Sequence, residues 1–277
     1  MCIRDSVGRI FEICVEKGSE LPEGDPARKF KGRSVFQGNQ VKDESWNNAM
    51  FAELGSSPAA LQAAKLVDAY GLLPGHTTEQ ADAEMAYINA DLEGTPTYVR
   101  LPPNRVPEAH KHLRDPVYRL VKALYGHPDS GGYWERYAHD ILEKGGWSLI
   151  SPSSWRSTYF HKALKCFLIV YVDDFKLSGP KSNLLAAWQT IRTKVKTSDP
   201  TASGKFLGCE HELHPLTFPD GGDPWRKYTT AELKQAPKVI KANAVTYNME
   251  SFLDSCVEKY CHLAQLKRAD LKPATTL

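Results

Sequence analysis

An α+β fold is predicted by three observations. The run Cys166-Phe-Leu-Ile-Val-Tyr-Val172 is a continuous stretch of β-branched and aromatic residues, the pattern of a strand buried on both faces. It ends at Asp173-Asp174, and Phe175-Lys-Leu-Ser-Gly179 returns as a second strand, so a hairpin tip carries two adjacent acids. From Asp82 onward the elements read strand, helix, strand, strand, helix, strand, which is the split βαβ, ferredoxin-like pattern. At 277 residues the chain exceeds the usual single-domain size, which suits one large lobe with a smaller appendage.

Each element follows from local chemistry. Val7-Gly-Arg-Ile-Phe-Glu-Ile-Cys-Val15 reads as a strand, followed by the Gly/Pro-rich stretch from Gly18 to Pro26 and a basic segment that predicts a hairpin. Ser57-Pro58 predicts a helix start, with Leu61, Lys65 and Val67 following and Gly71 closing it. The strand bearing Asp82 comes next, then a turn at Leu92-Glu-Gly-Thr-Pro96 and an extended Tyr98-Val-Arg-Leu-Pro102. Residues 103–116 have no clear period and read as a surface connection, with His110 and His112 facing solvent. Gly126-His-Pro-Asp-Ser-Gly-Gly132 reads as a glycine-rich turn before a helix from Tyr133 to about Lys144, whose Trp134, Ala138 and Ile141 or Leu142 form one stripe. Ser157–Phe160 is a strand ahead of the apolar run, Ser182 caps a helix reaching about Lys196, and Phe206–Glu212 is the last strand of the pattern. Residues 215–229 read as a Pro/Gly-rich break. After it, Met249, Phe252 or Leu253, Cys256, Tyr260 and Ala264 mark an amphipathic helix packed along that stripe.

Composition narrows the function classes. Hydrophobic residues at 42% can fill a core, and 25% charged residues describe a soluble protein. The longest apolar run is far short of the roughly 20 residues that cross a bilayer, so no membrane partner is expected. Met1-Cys-Ile-Arg-Asp-Ser6 lacks the apolar core of a signal peptide and is assigned to no element. Net charge is only +2, but between Arg28 and Lys42 there are five basic residues (Arg28, Lys29, Lys31, Arg33, Lys42) and no acid, a basic face able to neutralise phosphates or simply a solvated loop.

 The six cysteines contain no Cys-x-x-Cys pair and read as free, buried thiols in a reducing compartment. Cys209-Glu210-His211-Glu212-Leu-His214 offers metal-binding residue types, but on a strand Cys209 and His211 share a face and His214 does not, so zinc is not expected there.

On the motif alone, Asp173-Asp174 leaves turn chemistry and a metal site both open, because Asp is a common turn residue. A second acid at a strand end, Asp82 in Gln80-Ala-Asp82-Ala-Glu84-Met-Ala-Tyr87, shifts the balance toward a site. Lys31-Gly-Arg33-Ser-Val-Phe-Gln37-Gly38, Val117-Tyr-Arg-Leu-Val-Lys-Ala-Leu-Tyr125-Gly126, Tyr171-Val-Asp-Asp174 and Phe206-Leu-Gly208 follow in that order. With these blocks the chain resembles the reverse transcriptases of copia-type LTR retrotransposons, from about Gly8 to about Ala264.

The resemblance implies RNA-directed DNA polymerase activity on a polymerase palm, divided as fingers over 7–81, the first acid strand over 82–102, a fingers/palm connection over 103–132, palm over 133–214, and a partial thumb or C-terminal helical segment over 215–277. It implies two Mg²⁺ ions, with Mn²⁺ as the substitute, held by Asp82, Asp173 and Asp174, the last a weaker ligand near the primer end. All-oxygen carboxylate ligands suit such ions. By the same resemblance, Lys31 and Arg33 would meet the incoming triphosphate and the template. Tyr87 would lie under its sugar as a steric gate, although core packing is the competing reading of that ring. Tyr171 and Gly126 would border the nucleotide, and Phe206, Leu207 and Gly208 would grip the primer. His127-Pro128-Asp129-Ser130 departs from the family's wording after Gly126. The implied partners are an RNA template, a DNA primer and dNTPs, with integrase and ribonuclease H segments of the same polyprotein, in a cytoplasmic retroelement particle or the nucleus. The alternative is a truncated or decayed copy that binds nucleic acid without polymerising. A palm-fold nucleotidyl cyclase lacks support, because its glycine-rich signature is missing.

Overall fold

The computed structural model describes residues 6–17, 22–26, 28–43, 45–47, 49 and 59–272. Among them, thirteen strands form three sheets in a mixed α+β arrangement. In the first sheet, β1 (Ser6–Lys17) and β2 (Lys29–Phe36) make a long antiparallel hairpin, and β1 also pairs in parallel with β4 (Thr97–Arg100), which pairs with β5 (Tyr118–Arg119). Directly opposed residues point to the same side. Lys17, Lys29, Lys31 and Arg33 therefore share one face with Phe11, Ile13 and Val15, while Glu12 and Glu16 take the other. On that second face Arg105 and Arg28 pair with the two acids.

The second sheet runs in the order β10 (Thr201–Ala202), β3 (His76–Asp82), β9 (Asp174–Pro180), β8 (Cys166–Tyr171), β7 (Trp155–His161), β6 (Trp147–Ser151), every neighbouring pair antiparallel. Helices α3 (Ser130–Lys144) and α4 (Leu184–Arg192) cover one side, where Trp134, Leu142, Trp188 and Ile191 are buried with Leu168, Phe175 and Leu177. Each such large side chain contributes about 1.5–3 kcal/mol when taken out of water, so this layer is the main source of cohesion. The opposite side carries α1 (Leu61–Gly71), whose Val67 packs with Ile169 and Phe206. A one-turn α2 (Ala86–Asn89) follows β3. The third sheet joins β11 (Lys205–Phe206), β12 (Cys209–Pro219) and β13 (Val239–Asn248), with the short α5 (Thr230–Gln235) between the last two and α6 (Glu250–Ala264) after them.

Several sequence expectations are corrected by this arrangement. Phe206–Glu212 does not complete the central sheet; Thr201–Ala202 takes that edge beside β3, and residues 205–219 form the third sheet instead. β12 runs on through Pro215, opposite Asn243, so the break begins at Asp220. α3 starts at Ser130, inside the expected glycine turn, because Ser130 Oγ both donates to the Leu124 carbonyl and accepts from the Leu124 amide. The start of α1 expected at Ser57-Pro58 lies outside the described residues, and the described helix begins at Leu61, itself exposed. β6 and β13 were not expected as strands. α6 is a helix, but of its predicted stripe Phe252, Leu253 and Tyr260 are exposed and only the neighbouring Cys261 is buried. Cys166 is buried as expected, whereas Cys14 and Cys256 are exposed. No described helix is long and apolar enough to cross a membrane.

Candidate active site

β3 and β9 pair in a register that makes Asp82 and Asp174 direct partners at the end of the ladder. The two carboxylates, distant in sequence, therefore leave the sheet on the same side. Asp173 occupies the two-residue loop Val172-Asp173 that joins β8 to β9. Val172 has φ of 56°, a left-handed conformation that a β-branched residue adopts only when its surroundings impose it. Two bonds supply that constraint: Trp134 Nε1 donates to the Val172 carbonyl at 2.7 Å, and the Ala83 amide donates to the Asp173 carbonyl at 2.6 Å. Ser198 brackets the other acid, its Oγ accepting from the Asp82 amide at 3.0 Å and its own amide donating to the Asp82 carbonyl at 2.9 Å.

Burial pushes the Asp174 carboxyl up to about 6, and the charges of Asp173 and Asp82, with a hydrogen bond to Asp82, add to the shift. Asp174 thus senses both of the other acids. Among the described residues, however, no three His, Cys, Asp or Glu side chains close around a single point as a metal cage. The donor set is all carboxylate and open to a cleft, which fits a Mg²⁺ ion completed by phosphate oxygens and water. An acid whose folded value exceeds its unfolded value binds its proton more tightly when folded. Its contribution to stability is full below pH 4 and is lost as the pH rises through about 6. Asp174→Asn is therefore expected to stabilise the metal-free protein at pH 7–8 by about 1 kcal/mol, discounted for partial exposure; urea melts of both proteins at about pH 3.5 and about pH 8 check it, with the gap nearly closed at the lower pH and open at the higher.

Asp82 and Asp173, but not Asp174, line a cleft of about 500 Å³ together with Lys31 and Arg33 of the basic hairpin. Burial, then Lys17 and Arg33, pull the Lys31 ammonium below its ordinary value, while Asp173 pulls it back up. Arg33 lies over the Tyr125 ring at 5.3 Å, and Tyr125 meets Tyr87 edge-on at 4.7 Å. Tyr125 lines the cleft and Tyr87, half-buried on α2, stands behind it. Sequence reasoning had Tyr125 inside a motif without assigning it a role. Burial first, then Tyr125 and Asp173, raise the Tyr87 phenol above its usual value. Tyr171 is Asp174's cross-strand partner at the base of the turn.

Gly126 latches the basic hairpin to this segment. It has φ of 86°, and a Cβ there would lie 2.1 Å from the Phe36 carbonyl oxygen; one on Gly38 would lie 2.1 Å from the Gly126 carbonyl oxygen. The Phe36 amide donates to the Tyr125 carbonyl at 2.7 Å across the same contact. Gly126→Ala is expected to lower stability by about 2–4 kcal/mol through backbone strain and overpacking, measured as a fall in urea midpoint without a change of slope. The adjoining His127 is buried, which pulls its imidazole down to about 4; Nδ1 accepts from the Asp129 amide at 3.2 Å, leaving Nε2 to donate to Thr97 Oγ1 at 3.3 Å. The unusual residues after Gly126 thus anchor the segment from within.

Phe206 is buried, and Leu207-Gly208 forms the two-residue turn from β11 into β12 with φ of 50° and 79°. His211 and His214 are directed elsewhere than a shared ion: His211 toward Lys176 and Asp68, His214 Nε2 toward Thr246 Oγ1 at 2.8 Å.

Residues 22–215 match the model of a family described as reverse transcriptase (RNA-dependent DNA polymerase). Similar solved structures include telomerase from Candida albicans in complex with a fragment of telomeric RNA, at 11% identity and a TM-score of 0.33, with 75% of this chain and 44% of that chain covered. Another is apo telomerase from Candida tropicalis truncated from its C-terminal domain, at 12% identity and a TM-score of 0.35, with 74% and 53% covered. The chain spans about half the length of these two. No curated protein matches it.

Proposed function

Because this chain belongs to the reverse transcriptase (RNA-dependent DNA polymerase) family, we propose that it copies RNA into DNA, joining a dNTP to a primer 3′-hydroxyl with release of pyrophosphate, as the polymerase segment of a copia-type element. The single observation that carries this reading is that Asp82, paired with Asp174 across the ladder, lines one cleft with Asp173, Lys31 and Arg33. The strand order β10-β3-β9-β8 is that of a split βαβ unit, which supports a palm; the basic hairpin would be fingers, and residues 215–277 the start of a thumb.

Asp82 and Asp173 would hold two Mg²⁺ ions, with Asp174 the weaker ligand. Bound there, the ions would lower the pKa of the primer hydroxyl and stabilise charge on the leaving oxygens. Lys31 and Arg33 would grip the triphosphate, Arg33 braced on Tyr125. Leu207-Gly208, at the tip of its hairpin with Leu207 exposed, would hold the primer end.

Tyr87, through Tyr125, would stand under the sugar. Tyr87→Ala is expected to raise ribonucleotide use about tenfold, read as the ratio of kcat/KM for dNTP and rNTP. The same gain from Tyr125→Ala and none from Tyr87→Ala would move the gate to the ring that lines the cleft.

Primer extension on an RNA template with Mg²⁺ and dNTPs tests the activity. Incorporation of dNMP is the expected result. Primer–template binding without incorporation would instead identify a decayed copy.

A further inference from the structure

The rung next to the acids does something the polymerase reading has not used. Two residues deeper along the ladder than Asp82 and Asp174, and the next pair on their face, Gln80 and Lys176 are direct partners on β3 and β9 and point to the same side as the acids. Both reach the segment that holds Leu207-Gly208. Gln80 Nε2 donates to the Lys205 carbonyl at 2.9 Å, and Gln80 Oε1 accepts from the Gly204 amide at 3.3 Å. Lys176, fully buried, donates to Asp68 Oδ1 at 2.8 Å and to His211 Nε2 at 3.2 Å, and its ammonium lies 4.4 Å from the centre of the Phe206 ring. His211 in turn directs Nδ1 to the Gly204 carbonyl at 3.0 Å, while its Nε2 faces both the Lys176 ammonium and, at 3.4 Å, Asp68 Oδ2. Tyr247 of β13 donates to the other oxygen of Asp68 at 3.0 Å.

The tip itself has little to steady it. Leu207 is exposed, and a Cβ on Gly208 would meet nothing nearer than the Phe252 ring at 3.8 Å. Its position relative to the acids is therefore set at the base of the hairpin. A buried Lys–Asp pair adds little net stability over an apolar pair of similar volume, so what this one supplies is geometry.

Resting on the polymerase reading, we propose that Gln80 and Lys176, with Asp68 and His211 behind them, are positioning residues that hold the 204–211 hairpin, and through it the primer end, at a fixed distance from Asp82 and Asp174. The rung that adjoins the acids sets where the primer is presented to them.

Two variants of the full chain test this: Gln80→Ala, and Lys176→Met combined with Asp68→Leu, which removes both charges and orphans neither. Hydrogen exchange reads the hairpin without requiring activity. Amides 204–211 should lose protection in both variants while β8 and β9 keep theirs. Steady-state extension should show KM for primer–template raised about tenfold, with KM for dNTP unchanged within about twofold. Unchanged protection at 204–211, or loss of protection with no rise in primer KM, would overturn the proposal. Failure of the parent chain to extend any primer would remove the polymerase reading instead, while the exchange result would still decide whether this rung holds the hairpin.

Discussion

Asp173→Asn is expected to lower primer extension by on the order of 10³-fold or more, while the melting temperature stays near that of the parent. The size of the loss follows from charge. A ligand carboxylate contributes to every divalent ion that approaches the cleft, and a neutral amide of the same shape withdraws that charge from the transition state, where removal of one stabilising group already costs roughly 10²–10³-fold. The small structural effect follows from position. Asp173 sits in a loop, and the bond that pins it, from the Ala83 amide, ends on its backbone carbonyl, which the substitution leaves intact. Removing the Asp173 charge also relieves one cause of the raised Asp174 carboxyl. Single-turnover extension at saturating primer–template and Mg²⁺, run beside a thermal melt, measures both. Incorporation at more than a tenth of the parental rate would take Asp173 out of the catalytic set.

Lys31→Ala combined with Arg33→Ala is expected to raise KM for dNTP about 100-fold at low salt, since each charge-assisted contact to a phosphate is worth about 1.5–3 kcal/mol and the two are only partly additive. Both side chains are exposed on β2, so folding should be little affected. Removing two cations should also flatten the salt dependence of primer–template binding, by about 1.5 in the slope of log K against log salt. A titration across 50–200 mM KCl separates the roles. A change in KM for dNTP with an unaltered slope would confine the pair to the triphosphate, and no change in either would leave the hairpin as a solvated surface. Arg33→Lys tests the brace on Tyr125, because an ammonium keeps the charge and loses the planar stacking.

Much of the central sheet was legible in the sequence for reasons that lie within a few residues. The unbroken apolar run at 166–172 admits a strand covered on both faces, and β8 is that strand. The stripe Trp134, Ala138, Leu142 required a helix with one apolar side, and α3 buries it. Where local patterns were interrupted, reading them failed. β6 follows two glycines and has only Trp147 and Leu149 to mark its period, and Pro215 inside β12 looked like a break until its partner strand was in view. The exposed stripe of α6 shows the opposite error, since amphipathicity states which side of a helix prefers cover, not that cover is present.

At the site, the three aspartates, Lys31 and Arg33 could be picked out from motifs, but Tyr125, Ser198 and the Gln80–Lys176 rung could not. Lys176 is the clearest case. Within Phe175-Lys-Leu-Ser the alternation reads as a lysine turned to water, yet α1 and the third sheet cover that face and bury it beside Asp68, itself an acid on the helix's inner side. The sequence by itself determined element types and the chemistry available at each position, because propensity, periodicity and turn composition act over a few neighbouring residues. Only the tertiary structure decided which strand took the edge beside β3, which aromatic ring faced the cleft and which charges were buried, because those outcomes depend on contacts between residues a hundred positions apart.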